Sequence, residues 1–211
     1  MSENDANARF LRESIVEPSS IARARANAVE LGAAPVSAVV GSQIAVLAAA
    51  TNARSIVEIG TGAGVSGLWL LRGAPNAVLT SIDNEPEHLA AARQAFADAR
   101  VPATRARFIS GRAADVLPRM NESSYDIVLV DADADNVIEY VEHGLRLARD
   151  GGMVLVPRVL AAGRVADPVQ RDAVTAAYRS LIQETQESAA VLATVSASGE
   201  GLLQLIRVAD A

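Results

Sequence analysis

The chain has no cysteine, which excludes disulfides and thiolate metal ligands. Aromatic residues are scarce, with one Trp, three Tyr and three Phe in 211 residues, so any core must be aliphatic. Basic charge is also short. A net charge of −6 denies the chain the positive surface that sequence-independent nucleic-acid binding needs. No apolar run reaches the roughly 18 residues of a membrane span. The first twenty residues, MSENDANARFLRESIVEPSS, lack the basic and apolar regions of a secretory signal. A soluble, cytoplasmic protein without nucleic-acid or membrane partners is expected, and the missing cysteine fits a reducing compartment.

What is present is an aliphatic repeat. Half of the chain is hydrophobic, enough at this length to bury a core without staples. Residues 1–20 look loosely ordered at first and then helical. Helix-forming sequence runs from Ile21 to about Ala50, broken by a turn at LGAAPVS (31–37). Short apolar strands are expected at 55–59, 77–83, 107–110, 126–130 and 153–157, alternating with helices. The helix before the last of these should run from about Asn136 to Arg149, where Gly151 and Gly152 stop it. A further helix from about Pro168 to Glu187 precedes strands at 190–196 and 202–208, with SGEG (198–201) as the hairpin turn. The pattern predicts a Rossmann-like, doubly wound α/β fold: a mostly parallel sheet, a C-terminal antiparallel hairpin strand and an N-terminal helical extension. Residues 1–211 read as one domain, with 1–50 as the extension and 51–211 as the core.

Two segments carry chemistry. VEIGTGAGVSG (57–67) is a glycine loop at a strand end, where ligands of such sheets bind. Gly62, Gly64 and Gly67 match the dinucleotide fingerprint G-x-G-x-x-G, with Asp83 at the end of the next strand. Gly60, Gly62 and Gly64, preceded by Glu58, instead match E-x-G-x-G-x-G, the first motif of class I S-adenosylmethionine methyltransferases. A strand-end acid is costly unless it meets something positive. A pyrophosphate would be repelled there, whereas a sulfonium and an ammonium would be welcome, so Glu58 favours the second register. Asp83 is placed to accept from ribose hydroxyls, or to cap the helix that follows. The second segment, LVDADADN (129–136), sets Asp131, Asp133 and Asp135 after an apolar strand, as half of a metal site would. Asp135 with Asn136 reads as a helix start. His88, His143 and Trp69 read as surface or packing residues.

These residues, with TSIDNEPEHL, FISGRAADVLP and LARDGGMVLV, resemble the catechol and caffeoyl-CoA type O-methyltransferases, above all their small bacterial members. The likeness runs from about residue 30 to 160. It implies S-adenosylmethionine as cofactor, a small-molecule methyl acceptor and a homodimer. By resemblance Val36 packs on the cofactor, and Glu58, Gly60, Thr61, Gly62, Gly64 and Ser66 hold its methionyl end. Asp83 and Asn84 take the ribose, Arg112 and Ala113 flank the adenine, and Asp131 lies near the methionyl amine and the acceptor.

Two departures from that family matter. Many members bind a divalent cation through the first Asp of D-x-D and an Asp-Asn pair ending the next strand; here the pair is Pro157-Arg158, which cannot ligate it. The Lys that serves the family as candidate base is Ala134. No metal is therefore expected. Arg158 is expected either to supply the missing charge, with Asp131 or Asp133 as base, or only to neutralise those acids. The leading expectation is a metal-independent O-methyltransferase. An NAD-linked oxidoreductase and a silent S-adenosylmethionine-binding protein are the alternatives, and the acceptor is not readable.

Overall fold

The computed structural model describes residues 3–209. Its strands are β1 (Ser55–Ile59), β2 (Val78–Asp83), β3 (Ala106–Ser110), β4 (Tyr125–Val130), β5 (Ala148–Pro157), β6 (Val191–Ser196) and β7 (Leu202–Arg207). They form one seven-stranded sheet in the order β3-β2-β1-β4-β5-β7-β6. β1 to β5 are parallel, β7 is antiparallel to β5, and β6 is antiparallel to β7. β1 and β4 are buried on both faces because helices cover both, and apart from Glu58 their buried side chains are aliphatic.

The helices are α1 (Glu3–Ser14), α2 (Ser19–Glu30), α3 (Ala38–Ala50), α4 (Val65–Gly73), α5 (Pro86–Asp98), α6 (Ala113–Val116), α7 (Val137–Leu147) and α8 (Ala173–Glu187). Ile44, Leu70 and Phe96, from α3, α4 and α5, join Ile56 and Leu79 in one buried layer. Tyr140, Val141 and Leu181, from α7 and α8, join Val128 and Val154 in the other. Each such side chain contributes about 1.5–3 kcal/mol on burial. The N-terminal helices share the first layer, since Ile21, Ala24, Val36 and Val40 are buried within it. Trp69 is a core residue, packed where Gly41 leaves room for its ring.

Three boundaries differ from expectation. α7 ends at Leu147, and Ala148 already pairs with Tyr125, so the glycines at 151 and 152 form an irregularity within β5 rather than a helix stop. Gly152 fits there because a side chain would strike the Tyr125 carbonyl. α8 starts at Ala173, where the Asp172 carboxylate accepts from the Thr175 N–H at 3.0 Å; residues 161–166 form a separate tight turn. Near its start the chain is helical from Glu3 onward, and residues 1–2 lie outside the described part.

Candidate active site

Strand order reverses between β1 and β4, and the crevice outside their carboxyl ends is where open α/β sheets take ligands. A cleft of about 440 Å³ lies there, within the range of small-molecule sites. Its floor is the glycine loop after β1. Gly60, Gly62 and Gly64 have φ of 91°, 49° and 87°, in the left-handed region, whereas Gly67 lies inside α4. The E-x-G-x-G-x-G register thus describes the loop. At Gly60 an added Cβ would lie 2.3 Å from the Asp131 carbonyl oxygen, so β1 and β4 approach closely only with glycine there.

Asp83 organises the loop from below. Its Oδ2 accepts from the N–H groups of Thr61 and Gly62, both at 2.9 Å, and its Oδ1 accepts from the Glu85 N–H at 2.9 Å. His88 Nδ1 stands 3.4 Å from the same Oδ1. One lone pair on that oxygen remains for a ligand hydroxyl.

Glu58 is fully buried, and Ser66 and Ser81 hydroxyls donate to its two oxygens. No cation faces it. Burial, reinforced by Asp131 and Asp83, outweighs those hydrogen bonds and pushes its carboxyl up to about 8. Within the chain itself two hydroxyls solvate the acid in place of a positive partner, and below about pH 8 it holds a proton. Above the usual carboxylate range the folded chain binds a proton that the unfolded chain has lost, so Glu58's contribution to stability falls between about pH 4.5 and 8.

Asp131 follows β4, and its N–H donates to the Ile59 carbonyl at 2.8 Å. Its carboxylate is paired with the Arg158 guanidinium, which also donates to the Ala34 carbonyl. Burial, and the nearby Glu200, push Asp131 up to about 7 against the pull of Arg158. Arg158 does not pair with Asp133. That carboxylate accepts from Asn136 Nδ2 and, at 3.3 Å, from the Tyr140 hydroxyl. Asn136, not Asp135, holds the capping position of α7, and its side chain makes no capping bond because it is turned to Asp133.

The roof is the turn between α2 and α3. Ala33, Ala34 and Pro35 face the cleft. Arg25 donates to the Val36 carbonyl at 2.6 Å, and Glu200 of the β6–β7 turn accepts from the Ser37 N–H at 2.8 Å. Sheet hairpin, β5 end and helical extension therefore meet at one edge of the cleft.

Gly60, Thr61, Gly62, Ser66, Asp83, Asn84, Arg112, Ala113, Asp131, Asp133 and Arg158 all line the cleft. Val36, Glu58 and Gly64 stand behind its wall: Val36 in the core, Glu58 beneath Ser66 and Ser81, Gly64 against Ala92 and Phe96. Sequence reasoning missed His88, Tyr140 and Glu200. Tyr140 lies in the first turn of α7, and the tight turn at 134–136 folds the chain so that its hydroxyl reaches Asp133 near the end of β4. Among the described residues no group of three His, Cys, Asp or Glu is placed to hold a metal. At the end of β5 a guanidinium sits on the one carboxylate a hard cation would use, so these residues do not fit one.

A model of the family described as O-methyltransferase matches residues 15–207. A Mycobacterium marinum protein, provisionally named an O-methyltransferase, is 43% identical over 195 residues, covering 92% of this chain and 87% of its own. The crystal structure of the O-methyltransferase TomG from Streptomyces achromogenes, involved in tomaymycin synthesis and in complex with SAM, has a TM-score of 0.85 at 29% identity and covers 99% of this chain and 100% of its own. Cofactor-bound Rv0187 from MTB has a TM-score of 0.85 at 31% identity and covers 100% of this chain and 99% of its own.

Proposed function

The chain belongs to the O-methyltransferase family, and from that premise we propose that it methylates an oxygen of a small-molecule acceptor with S-adenosylmethionine and without an obligate divalent metal. The observation that carries the cofactor reading is the left-handed glycine loop gripped through two amides by Asp83 at the topological switch point. The relatives crystallised with SAM or cofactor support it. Asp83 and Asn84 would take the ribose, Arg112 and Ala113 the adenine edge, and Gly60, Thr61, Gly62 and Ser66 the methionyl end. Val36 and Gly64 would shape the site from behind.

When bound, the cofactor supplies an electrophilic methyl group on a sulfonium. This chain's own residues then have to orient the acceptor and take its proton. Asp131 is the proposed base, because burial raises it to about 7, near neutral pH. Arg158, paired with Asp131, would place a fixed positive charge beside the oxyanion that forms. Asp133, held by Asn136 and Tyr140, is the alternative base. No lysine occurs in the chain, whose 19 basic residues are all arginine, so no lysine elsewhere replaces the one absent at Ala134.

We read residues 1–211 as one methyltransferase domain that works in the cytoplasm as a homodimer. No helix among the described residues is long and apolar enough to cross a membrane. Phe10, Val16 and Val46 of the N-terminal region are 70%, 85% and 67% exposed, which supports a partner copy on that side; light scattering at the mass of a monomer would contradict the dimer.

A thermal-shift panel tests the cofactor. S-adenosylmethionine and S-adenosylhomocysteine at a hundred times their dissociation constants should stabilise the protein by about 2.7 kcal/mol, and NADH should not. Stabilisation by NADH alone would overturn the assignment and restore the dinucleotide reading.

A further inference from the structure

The buried acid behind the glycine loop is not isolated from the cleft. Glu58 is flanked by two hydroxyl paths. Ser66, which lines the cleft, donates to one carboxyl oxygen at 2.6 Å. Ser81 donates to the other, and Ser81 is itself 2.7 Å from the hydroxyl of Thr61, which also lines the cleft. Each hydroxyl rotates to donate or accept, so the network serves both the protonated and the ionised acid. Both ends open where the reading above places the methionyl end.

The groups facing Glu58 leave it without a counter-ion. Asp83 at the end of β2 and Asp131 at the end of β4 are both acidic, and Asp131 already has Arg158. From α4 come only Ser66 and the bare Gly67, whose Cβ position lies 3.2 Å from a Glu58 oxygen. A buried acid in such a place stays neutral until a cation arrives, and ionises when one does.

We propose that Glu58 is a proton-linked positioning residue that selects the charged cofactor over its demethylated product. The inference rests on the S-adenosylmethionine reading of the cleft. On arrival of the sulfonium the Glu58 carboxyl would lose its proton through the Ser66 or the Ser81–Thr61 hydroxyls to cleft water, leaving a carboxylate beneath those hydroxyls whose charge attracts the sulfonium through the wall. Methyl transfer forms the acceptor C–O bond, breaks the S–C bond and releases the acceptor's hydroxyl proton. The sulfur then carries no charge, Glu58 takes a proton back from solvent, and the product loses the carboxylate's attraction. Both ligands carry the same α-ammonium, so its titration cancels in their affinity ratio; Asp131, raised to about 7, also meets the charged sulfur, and Glu58→Gln separates its share from that of Glu58.

The test is calorimetric titration of S-adenosylmethionine and S-adenosylhomocysteine into wild type and Glu58→Gln from pH 6 to 9, in buffers of different ionisation enthalpy. Wild type should release up to about one proton on binding S-adenosylmethionine near neutral pH and far less with the product. With release of close to one proton, the affinity ratio should move by up to about a hundredfold in favour of S-adenosylmethionine across that range, most of it below about pH 8. In Glu58→Gln the ratio should stay within about twofold and the excess proton release should vanish. The wild-type buffer series stands alone should the variant fail to fold. A flat wild-type ratio with no excess proton release, or an unchanged response in Glu58→Gln, overturns the proposal while leaving the cofactor reading intact. Failure of both ligands to bind overturns the cofactor reading, and this proposal with it.

Discussion

Asp83→Ala should weaken S-adenosylmethionine binding by about a hundredfold or more. This carboxylate holds the amides of Thr61, Gly62 and Glu85, and so sets the curvature of the loop that floors the cleft. Without it, three amides lose a charged acceptor and a ribose hydroxyl loses its partner. Each hydrogen bond to a charged group contributes about 1.5–3 kcal/mol, and about 1.4 kcal/mol is a factor of ten in affinity. Asp83→Asn should fall between, since an amide accepts at one end but presents its own N–H at the other. Calorimetry on variants with a native circular dichroism spectrum measures the effect. A loss below about fivefold for the alanine variant would remove Asp83 from the cofactor site.

Arg158→Ala should lower kcat by about a hundred- to a thousandfold, the scale on which loss of one oxyanion-stabilising donor is felt. Cofactor affinity should change by less than about threefold. Arg158→Lys should recover part of the rate, because it keeps the charge but not the two-pronged donor geometry. A pH profile adds a second readout. Asp131 must be ionised to act as a base, so kcat/KM should rise through about pH 7 in the wild type. Arg158 holds Asp131 down, so in Arg158→Ala the rising limb should move to higher pH. Turnover of a panel of phenols and carboxylated phenols with labelled methyl donor, chelator present, supplies these rates. Unchanged turnover would leave Arg158 as no more than a strap between Asp131 and the Ala34 carbonyl.

How much of this could be read beforehand depended on whether the signal was local. Buried parallel strands such as IVLV in β4 are contiguous apolar runs, and the glycine loop announces itself because glycine takes its three left-handed positions most readily. The β5 start was not visible. GG after a helical segment reads as a stop, but the pairing of Ala148 with Tyr125, which decides the matter, is a contact across the sheet. At Glu58 the sequence predicts a positive partner, whereas the groups that meet the acid within the fold are the hydroxyls of Ser66 and Ser81, which come from two other elements. Arg158 was flagged by its position, and its pairing with Asp131 alone rather than with both acids follows from Asp133 being claimed by Asn136 and Tyr140. Glu200 carried no signal at all, because a turn acid gains meaning only when the hairpin folds against the start of α3.

Arg158 and Asp83 meet the same test in one crystal. The protein would be crystallised with S-adenosylhomocysteine and a millimolar excess of Mg²⁺. The nucleoside is expected in the cleft with a ribose hydroxyl on Asp83, and Arg158 beside Asp131 with no cation between them. A nucleoside bound elsewhere, or a Mg²⁺ on Asp131 with Arg158 swung away, would contradict the account of a metal-independent O-methyltransferase.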